Sequence, residues 1–133
     1  MIEAMLLYAK LFIGTPYIWG GNGPYFDCSG FAQEVLASVG VDPVGDQTAQ
    51  SLYYHLKKKD WPSQLGEGSV LFYGKSRKDI THVAIAIDAH TMIECGGGDS
   101  SVTSIATAIK KGAMVRVLPL RTDFVAILKP IFS

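Results

Sequence analysis

The apolar residues of this chain keep two different periods, and the change between them falls near residue 60. Before it they recur every three to four positions, as on one face of a helix. Residues 2–13 carry Ile2, Met5, Leu6, Ala9, Phe12 and Ile13 at that spacing, and Gly14-Thr15-Pro16 ends the run. Residues 28–39 set Phe31, Val35, Leu36 and Val39 on one stripe, stopped by Gly40. Thr48 is the N-cap of a third helix reaching residue 58, and Lys57, Lys58 and Lys59 read as its solvated end. Beyond it the pattern alternates: residues 69–73, 82–87, 91–95, 113–120 and 124–129 read as strands, with a short helix at 102–111. Residues 41–46 read as a loop, 74–81 as a polar hairpin connection and 96–99 as a flexible turn. Helices first and an antiparallel sheet after them predict an α+β layer fold. With 133 residues, no repeat and no linker, one domain spanning 1–133 is expected.

Twelve basic and twelve acidic residues cancel, which removes any general electrostatic case for nucleic acid or an anionic membrane as partner. No stretch is long and apolar enough to span a bilayer. Met1-Ile2-Glu3-Ala4 lacks the basic start of a secretory signal, so export is expected to come from elsewhere. Two cysteines, Cys28 and Cys95, are too few for a disulfide framework. A nucleophile must be a free thiol, so pairing of Cys28 with Cys95 and catalysis by Cys28 exclude each other.

The most heavily punctuated stretch is 17–32, where Gly20, Gly21 and Gly23 lead into Asp27-Cys28-Ser29-Gly30 at the start of the second helix. A helix N-terminus offers unpaired N–H groups and partial positive charge, which favour a thiolate and can hold an oxyanion. Cys28 is therefore a candidate nucleophile, with a buried packing thiol as the alternative. Such a nucleophile needs a base. His55 lies in the lysine-rich third helix and His90 in a tight strand connection, both solvated positions; His82 opens an apolar strand at a sheet end. A strand-start histidine is often only structural, and position alone leaves both readings open. Glu94 is a charge in an otherwise apolar strand. If 82–87 and 91–95 form a hairpin about Asp88-Ala89-His90, Glu94 comes close to opposite His82 and can fix its tautomer; the alternative is a charge facing water. Cys95 then points to the other face, as a packing residue.

Tyr17-Ile18-Trp19-Gly20-Gly21, Asp27-Cys28-Ser29-Gly30-Phe31, Gly68-Ser69-Val70-Leu71-Phe72-Tyr73 and His82-Val83-Ala84-Ile85, in this order, resemble the NlpC family of cell-wall cysteine endopeptidases. The resemblance covers roughly residues 4–98. It implies a reduced papain-like fold, Cys28 as nucleophile, His82 as general base and Glu94 at the third polar position. It places Tyr17, Asp27 and Ser29 beside the substrate cleft, with Trp19 in the same motif. It implies peptidoglycan stem peptides as substrate, commonly the bond from γ-D-glutamate to diaminopimelate or lysine, and action on a cell wall. No cofactor is expected, and without Cys-x-x-Cys or His-x-x-x-His clustering a metal site on Cys28, His82 and Glu94 is the weakest option. Glu94 followed by three glycines resembles compact, phage-associated members. Gly66-Glu67-Gly68-Ser69 departs from the family's commoner Pro-Gly-Asp. Amidase or acyltransferase chemistry on another substrate, and a non-catalytic wall-binding or virion module, are the competing expectations.

Overall fold

The computed structural model describes residues 1–132 except Asp42 and Val44. Those two lie in the loop expected at 41–46 and fall outside the described residues. Three helices come first: α1 (Ile2–Lys10), α2 (Cys28–Ala37) and α3 (Ala49–Lys57). Strands β1 (Val70–Ser76), β2 (Asp79–Ala86) and β3 (Thr91–Gly96) follow, then α4 (Ile105–Lys111), β4 (Met114–Pro119) and β5 (Ala126–Leu128). The strands form one antiparallel sheet in the order β4-β3-β2-β1-β5. This is the α+β arrangement expected from the change of period. No helix among the described residues is long and apolar enough to cross a membrane.

The sheet has two unlike faces. Phe72, Val83, Ile85, Ile93 and Cys95 join Met5, Phe31, Val35, Leu36, Leu52 and Leu56 of the helices in the main core. The other face is a smaller cluster of Leu71, Tyr73, Ala84, Ala86 and Met92, covered by Leu118, Leu120, Phe124 and Ile127. Alternate residues of each strand thus enter different cores, as the pleat requires. Glu94 and Cys95 therefore point to opposite faces.

The helices end where local chemistry stops them. Asp27 caps α2 by accepting from Gly30 N–H at 2.8 Å. Thr48 caps α3 in a capping box with Ser51. α1 stops at Lys10, short of residue 13, and α2 at Ala37, short of residue 39. The helix expected at 102–111 begins only at Ile105, because Val102 is buried and its carbonyl accepts from Trp19 N–H at 2.8 Å.

Residues 74–81 are mostly strand rather than a connection. β1 continues to Ser76 and β2 begins at Asp79, leaving Arg77-Lys78 as the turn. Residues 75–79 are exposed, so no apolar alternation marks them as strand. His82 is consequently inside β2, opposite Tyr73 of β1, and does not open its strand.

Residues 96–98 are not a flexible turn. Gly96 closes β3, and a Cβ there would fall on the Glu94 carboxylate; a Cβ on Gly98 would enter the Tyr17 ring. Gly97 has φ of +83°. The run is a close-packing requirement.

The outer edge of β4 is closed by residues 14–17. Gly14 N–H donates to Val115 O (2.9 Å), Val115 N–H to Thr15 O (2.9 Å) and Tyr17 N–H to Ala113 O (3.0 Å). An open edge strand is a template for unwanted pairing; here the same strip that covers it delivers Tyr17 to the N-terminus of α2.

Candidate active site

The N-terminus of α2 meets the sheet beside β2 and β3. Cys28 is a free thiol, partly exposed, with Sγ 4.0 Å from Thr81 O. Its helix position leaves the N–H groups of Cys28 and Ser29 without intrahelical acceptors. Gly30 makes this geometry possible, because a Cβ there would fall on Gly21 O. Since that neighbour is backbone, Gly30→Ala is expected to push the 20–23 loop off the helix. The stability loss should be about 2 kcal/mol in urea unfolding; an unchanged midpoint would contradict this packing.

β2 and β3 pair Ile85 with Ile93 and Ala86 with Met92. Continuing that register sets Glu94 across from Ala84 and makes it a diagonal neighbour of His82, within reach of long side chains. His82 Nε2 lies 2.8 Å from Glu94 Oε1. The expectation of near-opposite positions is thus met by side-chain reach rather than by direct pairing. With Nε2 committed to the carboxylate, Nδ1 is the nitrogen left for the Cys28 thiol.

Glu94 does not face water: its side chain is 3% exposed. A second cation holds it, Arg116 of β4, directly across the ladder. Arg116 Nη2 and Nε donate to Glu94 Oε2 at 3.0 and 3.2 Å, while Oε1 serves the imidazole. Burial raises the carboxyl pKa, but hydrogen bonds and charge from His82 and Arg116 outweigh it and hold the group below its ordinary value. Sequence reading missed Arg116. Its signal was the one that marked Glu94, a charge inside an alternating apolar strand.

Burial pulls the His82 pKa down; hydrogen bonding and charge from Cys28 and Glu94 overcome it and raise the value from 6.5 to about 9. The folded ring therefore binds its proton more tightly than the unfolded one. Its stabilising contribution is complete below pH 6.5 and is lost as pH rises through about 9. Thermal unfolding should show this as a fall of about 2–3 kcal/mol across that window. The fall should be absent from His82→Gln; its persistence there would assign it to another group.

The remaining residues of the motif have these positions. Tyr17 is 4% exposed, packed against Gly98, and burial, with the nearby Cys28 and Asp27, raises its pKa. Asp27 is committed to the helix cap and to Gly20 N–H at 3.2 Å, and Ser29 Oγ donates to Asp27 Oδ1 at 3.3 Å. Burial leads the causes that raise the Asp27 pKa, against the hydrogen bonds that lower it. Trp19 is 54% exposed at the rim of a 380 Å³ hollow that Cys28, Tyr17 and Asp27 also line. His55 and His90 stand apart, in the last turn of α3 and in the exposed β2–β3 turn. Cys95 is fully buried, with its thiol 3.1 Å from Phe26 O. Among the described residues no three metal-ligating side chains converge.

A helix packed on an antiparallel sheet, with a free thiol at its N-terminus facing an imidazole and a carboxylate, defines the papain-like α+β class. Residues 14–118 match the NlpC/P60 family, and the chain belongs to that family. It is 35% identical over 104 residues to the probable endopeptidase p60 of Listeria grayi, covering 77% of this chain and 20% of that protein. It is 32% identical over 99 residues to a gamma-D-glutamyl-L-lysine dipeptidyl-peptidase of Bacillus cereus, covering 72% of this chain and 29% of the relative. Each of these relatives is thus more than three times as long as the segment matched. Among solved structures, the NlpC/p60 domain of the peptidoglycan hydrolase SagA superposes with a TM-score of 0.68 at 27% identity, covering 98% of this chain and 99% of that one.

Proposed function

We propose that the chain is a cysteine endopeptidase acting on peptidoglycan stem peptides, at the bond from γ-D-glutamate to the diamino acid. The observation that carries the reading is the 2.8 Å bond between His82 Nε2 and Glu94 Oε1, which leaves Nδ1 as the ring nitrogen for the Cys28 thiol. The names of the relatives support the substrate class.

Raised to about 9, His82 is basic enough to take the Cys28 proton on Nδ1 as the sulfur attacks. The sulfur attacks the carbonyl carbon of the scissile amide and a C–S bond forms. The oxyanion is held by the Cys28 N–H and the Tyr17 hydroxyl. On collapse the C–N bond breaks, and His82 gives its Nδ1 proton to the leaving amine. Water then attacks the thioester and His82 takes its proton; the C–S bond breaks, the acid leaves, and the Cys28 sulfur and His82 return to their starting state. Glu94 keeps the ring oriented and stabilises its charge, and Arg116 holds Glu94. Asp27 and Ser29 build the helix cap beside the acyl group, and Trp19 borders its path.

Purified protein incubated with defined stem peptides and read by mass spectrometry tests this. The expected product pair is an acid ending in D-glutamate and a fragment with a new amine on the diamino acid. Intact peptides after prolonged incubation would refute the assignment.

A further inference from the structure

Two hollows meet at Thr81, which lines both. Cys28 lies in the first, which measures 380 Å³ and carries Asp27 and Asp46 with no lysine or arginine. His82 lies in the second, which measures 360 Å³ and carries Arg116 and Arg121 against a single carboxylate, Glu94. Arg116 is occupied by Glu94, so the arginine of the second hollow left to meet a ligand is Arg121. Its guanidinium lies over the Tyr73 ring, 4.4 Å from the centroid, and the Tyr73 hydroxyl donates to Arg121 O at 2.9 Å. One aromatic ring thus holds both the backbone and the side chain of this residue. Asp123 acts on Tyr73 through its charge but makes no ion pair with Arg121.

The proton route assigns the two hollows to the two halves of the substrate. The leaving amine takes its proton from His82, so the atoms beyond the scissile bond enter the hollow of His82. The acyl half stays over Cys28. We propose that Arg121, held on Tyr73, is the carboxylate-binding residue for the leaving half of the substrate, and so determines specificity. The proposal rests on the hydrolase reading above. An arginine fork matches a carboxylate in two parallel hydrogen bonds, and stacking on a ring keeps it aimed. A leaving fragment has two sources of that carboxylate. One is its main-chain terminus. The other is the second carboxylate of a diaminopimelate side chain, which lysine lacks.

The test uses L-Ala-γ-D-Glu-diaminopimelate in three forms: free acid, side-chain amide and C-terminal amide. Cleavage by the wild-type protein, Arg121→Gln and Arg121→Glu is followed as kcat/KM. Amidation of the recognised carboxylate should lower wild-type kcat/KM about tenfold relative to the free acid. The ratio should fall to near one in Arg121→Gln and invert in Arg121→Glu. The amide that lowers the rate identifies the carboxylate. Equal rates on all three peptides in the wild type, or the same ratio in wild type and Arg121→Gln, would overturn the role of Arg121 and leave the endopeptidase reading standing. Failure of the wild type to cleave any of the three would overturn both.

Discussion

Cys28→Ala is expected to lower the rate of stem-peptide cleavage by at least about 10⁴-fold while leaving the fold in place. The size follows from the chemistry, because the acyl group is carried on the Cys28 sulfur and the neighbouring Ser29 hydroxyl is turned onto Asp27. The fold should survive because the thiol is partly exposed, its backbone contact with Thr81 O is long at 4.0 Å, and losing its contact with His82 leaves the His82–Glu94 bond in place. The melting temperature should stay within about 4 °C of the wild type. Iodoacetamide should mark the same residue: alkylation at Cys28 removes activity, while Cys95, fully buried, stays unmodified in the folded protein. Mass spectrometry of peptides from the alkylated protein reads both cysteines at once. Cleavage that persists in Cys28→Ala would remove the nucleophile from the mechanism, and with it the acyl-enzyme.

The second large effect is expected at Glu94. Glu94→Gln keeps the shape and removes the charge from between His82 and Arg116. The turnover rate should fall about 10²-fold or more, with KM little changed, since Glu94 acts through the imidazole rather than on substrate. The alkaline limb of the pH–rate profile should move down, because His82 loses one of the two partners that raise its pKa to about 9. Stability should drop by about 2–3 kcal/mol, since Arg116 is left beside a neutral amide. A variant with wild-type turnover and an unmoved alkaline limb would show that the carboxylate neither orients nor charges the ring.

The candidate nucleophile Cys28 and the candidate orienter Glu94 were legible because each breaks a local rule, whereas His82 stood out only through its place after the polar 75–81 stretch. A cysteine stands among turn residues, and a carboxylate stands in an apolar strand. Arg116 breaks the same rule as Glu94, and reading the two strands as neighbours would have paired them. What the sequence hid was the neighbourhood of β3 and β4, which are separated by α4 and adjacent only in the sheet. The extent of β1 and β2 was hidden for another reason. A strand wet on both faces has no apolar partner to repeat, so Lys75 and Asp79 look like loop residues although they carry the ladder. The glycines at 96–98 invited a reading as slack chain, whereas the Glu94 carboxylate and the Tyr17 ring occupy the space their side chains would need.

The strip at 14–17 that seals the edge of β4 ties two parts of the site to one event. Tyr17 belongs to the strip, and Arg116 belongs to the strand beneath it. Fraying at that edge would withdraw the phenol from the N-terminus of α2 and loosen the guanidinium behind Glu94 in the same motion. The protein therefore has little room for a half-competent form. Partial loss of activity on heating should count molecules with a broken edge, rather than a uniform weakening of every active site.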